Sequence, residues 1–357
     1  MKQVRIGLLI SSVLFFLIQG EAQEKNKELF TDDWKFILDS SHNLEGKQVN
    51  DEKWRRLNLP HDWSVEFPFD EKSPTGTGGG ALRGGTGWYR KTFSLPVSSK
   101  NKKIFIDFDG VYRNSEVWIN GHFLGLRPNG YISFRYELTP YLSYGEETNL
   151  IAVRVDNAQQ PNSRWYSGSG IYRNVWLVTQ NDIFVDHWGV SITNPKADRQ
   201  SSEVDIKIRI NNTAAGNNMV QVQSALYDAG GKQLATITHS VGCPANQKTE
   251  TAALLKVSNT QLWSVGNPYL YRAVVRLMLN QEIVDEYTMS VGIRSFAFDK
   301  DRGFLLNGEA VKINGVCNHH DLGCLGSAVN TRALERQLEI LKGMGCNGIR
   351  TTHNPPA

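Results

Sequence analysis

The chain has 357 residues, 39 basic and 36 acidic side chains, a formal net charge of +3 and 40% hydrophobic residues. A single core stops growing at roughly 250 to 300 residues, so two or three domains are expected. The basic residues are scattered singly, which argues against a nucleic-acid partner, and four cysteines are too few for a disulfide framework in a chain of this size.

The first 22 residues carry Lys2 and Arg5, then an apolar run over residues 6–18, then Gly20-Glu21-Ala22, a small-x-small cleavage pattern. They are expected to be a secretory signal peptide. A membrane anchor is the alternative, but the apolar run is shorter than the roughly 20 residues a spanning helix needs, and no cysteine sits where a lipoprotein anchor would require one. Cleavage would place the protein in the periplasm or outside the cell, free of the membrane, and lower its net charge to +2. Export permits disulfides, yet Cys243 stands alone and Cys317, Cys324 and Cys346 crowd one end. The four are expected to be buried free thiols.

Short strands follow. KIFIDFDG sets Ile104, Ile106 and Phe108 on one face, and NLIAVRVDN does the same for Ile151, Val153 and Val155. Between them EVWINGHFLG places Asn120-Gly121 where a two-residue hairpin turn needs positive φ. From residue 182 the alternation resumes: SEVDIKIRI aligns Val204, Ile206, Ile208 and Ile210, Gly230-Gly231 marks a turn, and YLYRAVVRLML aligns Tyr271, Ala273, Val275 and Leu277. About 110 residues of this kind suggest an immunoglobulin-like sandwich, ending near residues 291–294.

The last segment changes character. A hairpin around Asn307-Gly308 leads to an apolar strand over residues 312–317. The run NTRALERQLEILKGMG then reads as a helix with Leu334, Leu338 and Leu341 on one face, Asn330 as N-cap and Gly345 closing it. A second strand runs from Cys346 towards His353-Asn354. Strand, helix and strand make a βαβ unit whose parallel strands end on the same side, so Asn318-His319-His320-Asp321 and His353-Asn354 should share one rim. In a β/α barrel, chemistry sits at that rim. Arg350 on a barrel strand is expected to pair with a carboxylate. A metal site from Cys317, His319, His320 and Cys324 is the competing arrangement, although its spacing fits no common zinc pattern.

These stretches carry a family resemblance: LPHDW (residues 59–63), TGWYRKTF (86–93), FDGVYRNSEVWINGHFLG (108–125), RWYSGSGIYRNVWL (164–177), GVCNHHD (315–321) and GIRTTHNPP (348–356). In that order they resemble the N-terminal part of glycoside hydrolase family two, and among its members the exported bacterial β-galactosidases. The resemblance implies a mainly β chain: a jelly-roll sugar-binding domain over residues 23–181, an immunoglobulin-like β-sandwich over 182–295, and over 296–357 the first βαβ part of a (β/α)8 TIM barrel that the chain leaves incomplete. It also implies that His319 and His353 line the galactosyl subsite, that Arg350 neighbours the nucleophile, and that Asn354 belongs to the same motif.

In such enzymes a carboxylate or amide before the S-G-x-G-I-Y-R motif reaches the sugar. Here the matching position is Arg164, which leaves galactose against glucuronate open. Trp165 and Tyr166 are the candidate sugar-stacking aromatics, whereas Trp63, Trp118 and Trp176 are expected to be structural. Retaining hydrolysis needs two carboxylates about 5 to 5.5 Å apart. In the family the acid follows an asparagine, and this sequence contains no Asn-Glu dipeptide. Glu335 and Glu339 belong to the exposed face of the helix, so the chain is expected to be a fragment with no catalytic carboxylate of its own, the acid/base and nucleophile lying beyond Ala357.

The glycine-rich stretch at residues 74–87 lacks the ending of a phosphate loop and is expected to be a flexible loop that reaches towards the barrel mouth. The functions that fit are a retaining β-galactosidase acting on terminal β-galactosides, a β-glucuronidase of the same architecture, or a non-catalytic carbohydrate-binding protein, the last having no use for the start of a barrel. No cofactor is expected in this chain. The resemblance leaves room for a divalent cation and a homo-oligomer in the full-length enzyme.

Overall fold

Alternating apolar residues, punctuated by Asn, Gly and Pro, drive most of this chain into antiparallel sheets. The structure is a computed structural model that describes residues 26–354; the expected signal peptide lies outside the described residues. Among the described residues no helix is long and apolar enough to cross a membrane.

The first sandwich is built from β1 (Lys27–Leu29), β2 (Trp34–Leu38), β3 (Arg55–Leu57), β4 (Gly85–Ser94), β5 (Lys103–Phe108), β6 (Ser115–Ile119), β7 (His122–Arg127), β8 (Phe134–Glu137), β9 (Thr148–Asn157) and β10 (Val175–Gln180). They form a four-stranded sheet, β1-β10-β5-β8, facing a six-stranded one, β3-β2-β4-β9-β6-β7. Ile104, Ile106, Phe108, Ile151, Val153 and Val155 are buried between them as their alternation requires. Asn120 and Gly121 have φ of 49° and 84°, the left-handed values the β6–β7 hairpin needs.

The second sandwich pairs β11 (Ile183–Lys196), β12 (Ser201–Asn212) and β15 (Gln247–Ser258) against β13 (Asn218–Tyr227), β14 (Gln233–Cys243), β16 (Tyr271–Leu279) and β17 (Glu282–Val291). Val204, Ile206, Ile208 and Ile210 meet Tyr271, Ala273, Val275 and Leu277 in its core. The two sandwiches are joined through Asp285, whose carboxylate accepts from the side-chain amide of Asn26 at 3.0 Å and from the Val185 N–H at 2.8 Å.

A small sheet of β18 (Phe296–Asp299), β19 (Gly303–Leu306) and β20 (Glu309–Ala310) turns at Asn307-Gly308. It leads into β21 (Gly315–Asn318), α1 (Thr331–Gly343) and β22 (Gly348–Thr351), and β21 and β22 are parallel, with Cys317 opposite Arg350. Asn330 caps α1 by accepting from the Ala333 N–H at 3.0 Å, and Gly345 closes it at φ 89°. The strands begin three and two residues later than the apolar pattern suggested, because the preceding residues serve the turn that joins them: Asn347 donates to the Lys312 carbonyl and accepts from the Asn314 N–H.

Two expectations are corrected here. Among the cysteines only Cys243 is buried, while Cys317 and Cys324 are exposed and Cys346 is half-buried; all four are free. The glycine-rich stretch is a stitched set of turns instead of a flexible loop: Gly79 N–H donates to the Thr75 carbonyl, Ala81 N–H to that of Gly76, and the buried Thr75 hydroxyl to that of Leu82.

His187 lies beside a polar cavity of about 170 Å³ between the sandwiches, with Lys27, Asp107, Arg135 and Tyr287. Burial, reinforced by repulsion from Arg135, pushes its imidazole down to about 4. The folded protein therefore refuses a proton that the unfolded chain accepts below its ordinary value near 6.5, so His187 contributes stability above that pH and the contribution is lost as pH falls towards 4. Unfolding free energies measured from pH 4 to 7 should rise with pH, and His187→Asn should flatten part of that rise.

Candidate functional site

The site begins at the end of β22. The chain leaves the strand with Thr352 donating its N–H to the Asn318 carbonyl at 3.1 Å, which ties the two strand ends together. His319 and His353, 34 positions apart, thereby come to lie edge to face with ring centroids 5.1 Å apart. Trp165 of the first sandwich stands against His353, centroids 5.1 Å and planes 33° apart, and is steadied by its indole N–H donating to the Tyr131 hydroxyl at 3.0 Å. Two barrel-strand histidines and one jelly-roll tryptophan thus form a single aromatic rim.

Asp62 brings these elements together. Its carboxylate is 3% exposed. One oxygen accepts from the N–H groups of Ser64 at 3.0 Å and Ser169 at 2.9 Å. The other accepts from the Tyr166 hydroxyl at 2.5 Å and from the N–H and hydroxyl of Ser327 at 2.9 and 3.0 Å. Ser327 lies between β21 and α1, so a jelly-roll carboxylate fastens the first barrel loop. Gly168 and Gly326 pass beside it at φ 68° and 60°. A Cβ on Gly168 would come 1.9 Å from the Ser327 hydroxyl, and one on Gly326 2.3 Å from Asp62, so only glycine fits at either place. The Val329 N–H adds a backbone bond to the Tyr172 carbonyl at 2.9 Å.

The other expected residues divide. His320 turns away from the rim and sits edge-on between Tyr131 and Tyr172, at 6.1 and 6.4 Å; burial lowers its pKa, which keeps it neutral, so it anchors the barrel segment on the sandwich. Tyr166, one of the two candidate stacking aromatics, has its hydroxyl committed to Asp62, and burial together with that negative charge raises its pKa well above the ordinary value. Among the described residues no carboxylate pairs with Arg350. It is exposed, and its guanidinium donates to the Cys317 sulfur at 3.3 Å, because the residue across the parallel pair is a cysteine. Asn354 is 7% exposed beside Thr352. Arg164 is exposed on the same turn as Trp165, its backbone packed on Gly78 of the glycine-rich stretch, which buttresses that turn from behind.

Glu335 and Glu339 occupy the solvent face of α1, both paired with Arg332 at 3.2 and 2.8 Å. Among the described residues no three His, Cys, Asp or Glu side chains gather as a metal ion would require. An apolar cavity of about 240 Å³ between α1 and the two strands adjoins the rim, with His319 and Asn354 in its walls beside Leu334, Leu338 and Ile349. Trp63, fully buried, and Trp118, stacked on Trp88 at 5.3 Å, are structural, as is Trp176, whose indole donates to Asp109.

Sequence reasoning missed Asp62, Tyr131 and Ser327. Asp62 stands within the LPHDW stretch, and an acidic residue between His61 and Trp63 in an otherwise apolar context was the available signal; nothing in sequence announced its partner 265 positions away.

Three family models match in order along the chain: glycosyl hydrolases family 2, sugar binding domain, over residues 34–181, glycosyl hydrolases family 2 over 184–294, and glycosyl hydrolases family 2, TIM barrel domain, over 299–357. The chain belongs to glycosyl hydrolase family 2. Among relatives of this family-2 chain, the β-galactosidase BoGH2A of Bacteroides ovatus is 52% identical over 92% of this chain and 38% of its own length. A β-glucuronidase of Formosa agariphila is 32% identical over 93% of this chain and 36% of its own. A crystal structure of a family 2 member from Bacteroides cellulosilyticus superposes with a TM-score of 0.90 at 38% identity, covering 93% of this chain and 43% of that one. The family-2 chain therefore spans well under half the length of these three proteins.

Removing the Asp62 carboxylate leaves five donors facing each other in a buried place. Asp62→Ala should cost about 3 to 5 kcal/mol of stability, and Tyr166→Phe about 1 to 2 kcal/mol, read from urea midpoints. A double-mutant cycle of Tyr166→Phe with Ser327→Ala should show coupling, since both donate to one oxygen.

Proposed function

We propose that the chain is the substrate-binding forepart of an exported, retaining β-galactosidase acting on terminal β-galactosides. The observation that carries this reading is the rim of His319, His353 and Trp165, where the ends of two parallel strands meet the jelly roll. An aromatic face for the apolar side of a pyranose, with two imidazoles at right angles to each other, suits a sugar ring held by stacking below and hydrogen bonds at its edge. An imidazole ring presents two nitrogens that can hydrogen-bond to hydroxyl groups.

His319 and His353 are assigned to sugar hydroxyls. Trp165 provides the stacking surface, Arg350 lies lower on the strand, where it favours an anionic neighbour, and Asn354 lies beside the histidines. Retention requires an acid/base carboxylate and a nucleophilic carboxylate about 5 to 5.5 Å apart. The described carboxylates of α1 are engaged with Arg332 on the outer face, and on this reading the chain contributes binding and orientation. Galactose is preferred over glucuronate on the strength of the 52% identical relative; a β-glucuronidase is the second reading, favoured by the 32% identical one.

The test is hydrolysis of a panel of aryl β-glycosides by the protein carried through its barrel. β-Galactoside should be turned over fastest; faster turnover of β-glucuronide would replace the first reading with the second, and no turnover of either would leave a binding protein. The 357-residue chain assayed alone should release no aglycone. In the active enzyme His353→Ala should lower kcat/KM by about 100-fold, roughly 2.7 kcal/mol of transition-state binding, with the unfolding midpoint little changed.

A further inference from the structure

The strand pair β11–β12 carries an irregularity that turns His187 towards the cavity between the sandwiches, lies apart from the histidine rim, and leaves Trp188 largely in solvent. Val185 pairs with Ile210 and Val190 with Ile208, so residues 186–189 stand opposite Arg209 alone and are extruded from the sheet. At the tip of this bulge Trp188 has φ 53°, a conformation costly for a bulky side chain, and is 64% exposed. A strained backbone that holds a tryptophan in water calls for an occupant on the other face of the ring.

The surroundings are ordered. The indole stacks on the His187 ring at 4.4 Å, which fixes its plane. Beneath it the buried Asp186 carboxylate accepts from Arg209 at 2.7 Å and from Lys248 at 2.9 Å, and Arg209 also reaches the His187 carbonyl. Gly189 lets the bulge close over the sheet, since a Cβ there would lie 2.7 Å from the Arg209 carbonyl oxygen. Ser191, Lys207 and Ala252 are in register across β11, β12 and β15, so two small side chains flank one long one and leave a trough. The groove holds about 440 Å³, and Trp188, Arg209, Glu250 and Thr251 line it with these residues.

We propose that this groove is a second carbohydrate-binding site, taking a pyranose ring of a neutral oligosaccharide on the face of Trp188. A pyranose presents an apolar C–H face and a rim of hydroxyls, which matches one fixed aromatic plane bordered by donors and acceptors. Arg209 and Lys248 are held by Asp186, with Glu250 at 4.0 Å from Arg209, and Lys207 leaves a single positive charge over, so the groove offers hydrogen bonds from groups of both signs rather than a strongly charged surface. A protein partner fits less well, because a stable interface needs about 800 Å² per side with an apolar centre, and the groove offers one large exposed apolar side chain. The ring is immobilised before binding, which removes an entropy cost that a free side chain would carry. None of these residues belongs to the histidine rim, so the site stands whether or not the rim prefers galactose.

The experiment is affinity electrophoresis of the chain in gels containing soluble β-1,4-galactan. Galactan should retard the unaltered chain, Trp188→Ala should weaken retardation about tenfold, and Trp188→Phe should restore most of it because a flat ring remains. Trp165→Ala, which removes only the rim aromatic, should keep the Trp188-dependent retardation. Equal retardation of Trp188→Ala and the unaltered chain, or none of the unaltered chain, overturns the proposal. So does sedimentation showing a dimer that Trp188→Ala converts to monomer, since the groove would then be an interface between copies.

Discussion

The Asp62 carboxylate accepts five hydrogen bonds from four residues, and those residues come from three separate stretches of chain: its own turn, the Tyr166–Ser169 segment and the loop that follows β21. A carboxylate has about four lone-pair sites, so five donors saturate it. Taking such a charge out of water is expensive unless nearly every site is filled. The fold meets that condition by requiring the three stretches to arrive together, and a displacement of any one strands the charge. Placement of Trp165 follows, since it lies next to Tyr166 and has little freedom once that hydroxyl is fixed.

The glycines around Asp62 serve the same constraint. Gly168 and Gly326 are places where a side chain would collide with Asp62 or Ser327, and both have the positive φ that glycine adopts without strain. Gly170 lies against the Tyr89 hydroxyl and the His61 carbonyl, so the S-G-x-G run threads between two buried polar groups. His61 belongs to this layer too: its ring meets the Tyr89 hydroxyl at 2.7 Å and Glu66 at 3.1 Å, while burial lowers its pKa. The jelly roll is thus more than a neighbour of the barrel segment. It supplies the polar socket into which the first barrel loop is seated.

The barrel segment leans on that socket. α1 has a proper N-cap and C-terminal glycine, yet none of its residues is buried; Leu338 is 42% exposed and Ile340 46%. Two parallel strands and one helix cover little apolar surface on their own. The parallel register that brings His319 to His353 is held from outside by Ser327 on Asp62, Val329 on Tyr172 and His320 between two tyrosines.

The local elements were legible because each depends on residues close in sequence. Alternation at Val204 to Ile210 gives a half-buried strand wherever it occurs, Asn120-Gly121 turns because both tolerate positive φ, and Asn330 caps the helix whatever lies beyond. The meeting of His319 with His353 was legible as well, since parallel strands joined by a helix must end on one side. Tertiary structure alone decided which polar residues became partners. Arg350 met a cysteine sulfur instead of a carboxylate, His320 left the rim for a tyrosine pocket, and Asp62 found Ser327. The physical reason is that strand and turn formation are set by short-range sterics and alternation, whereas a buried polar group is defined by whichever distant donors packing brings within about 3 Å of it, and sequence carries no measure of that distance.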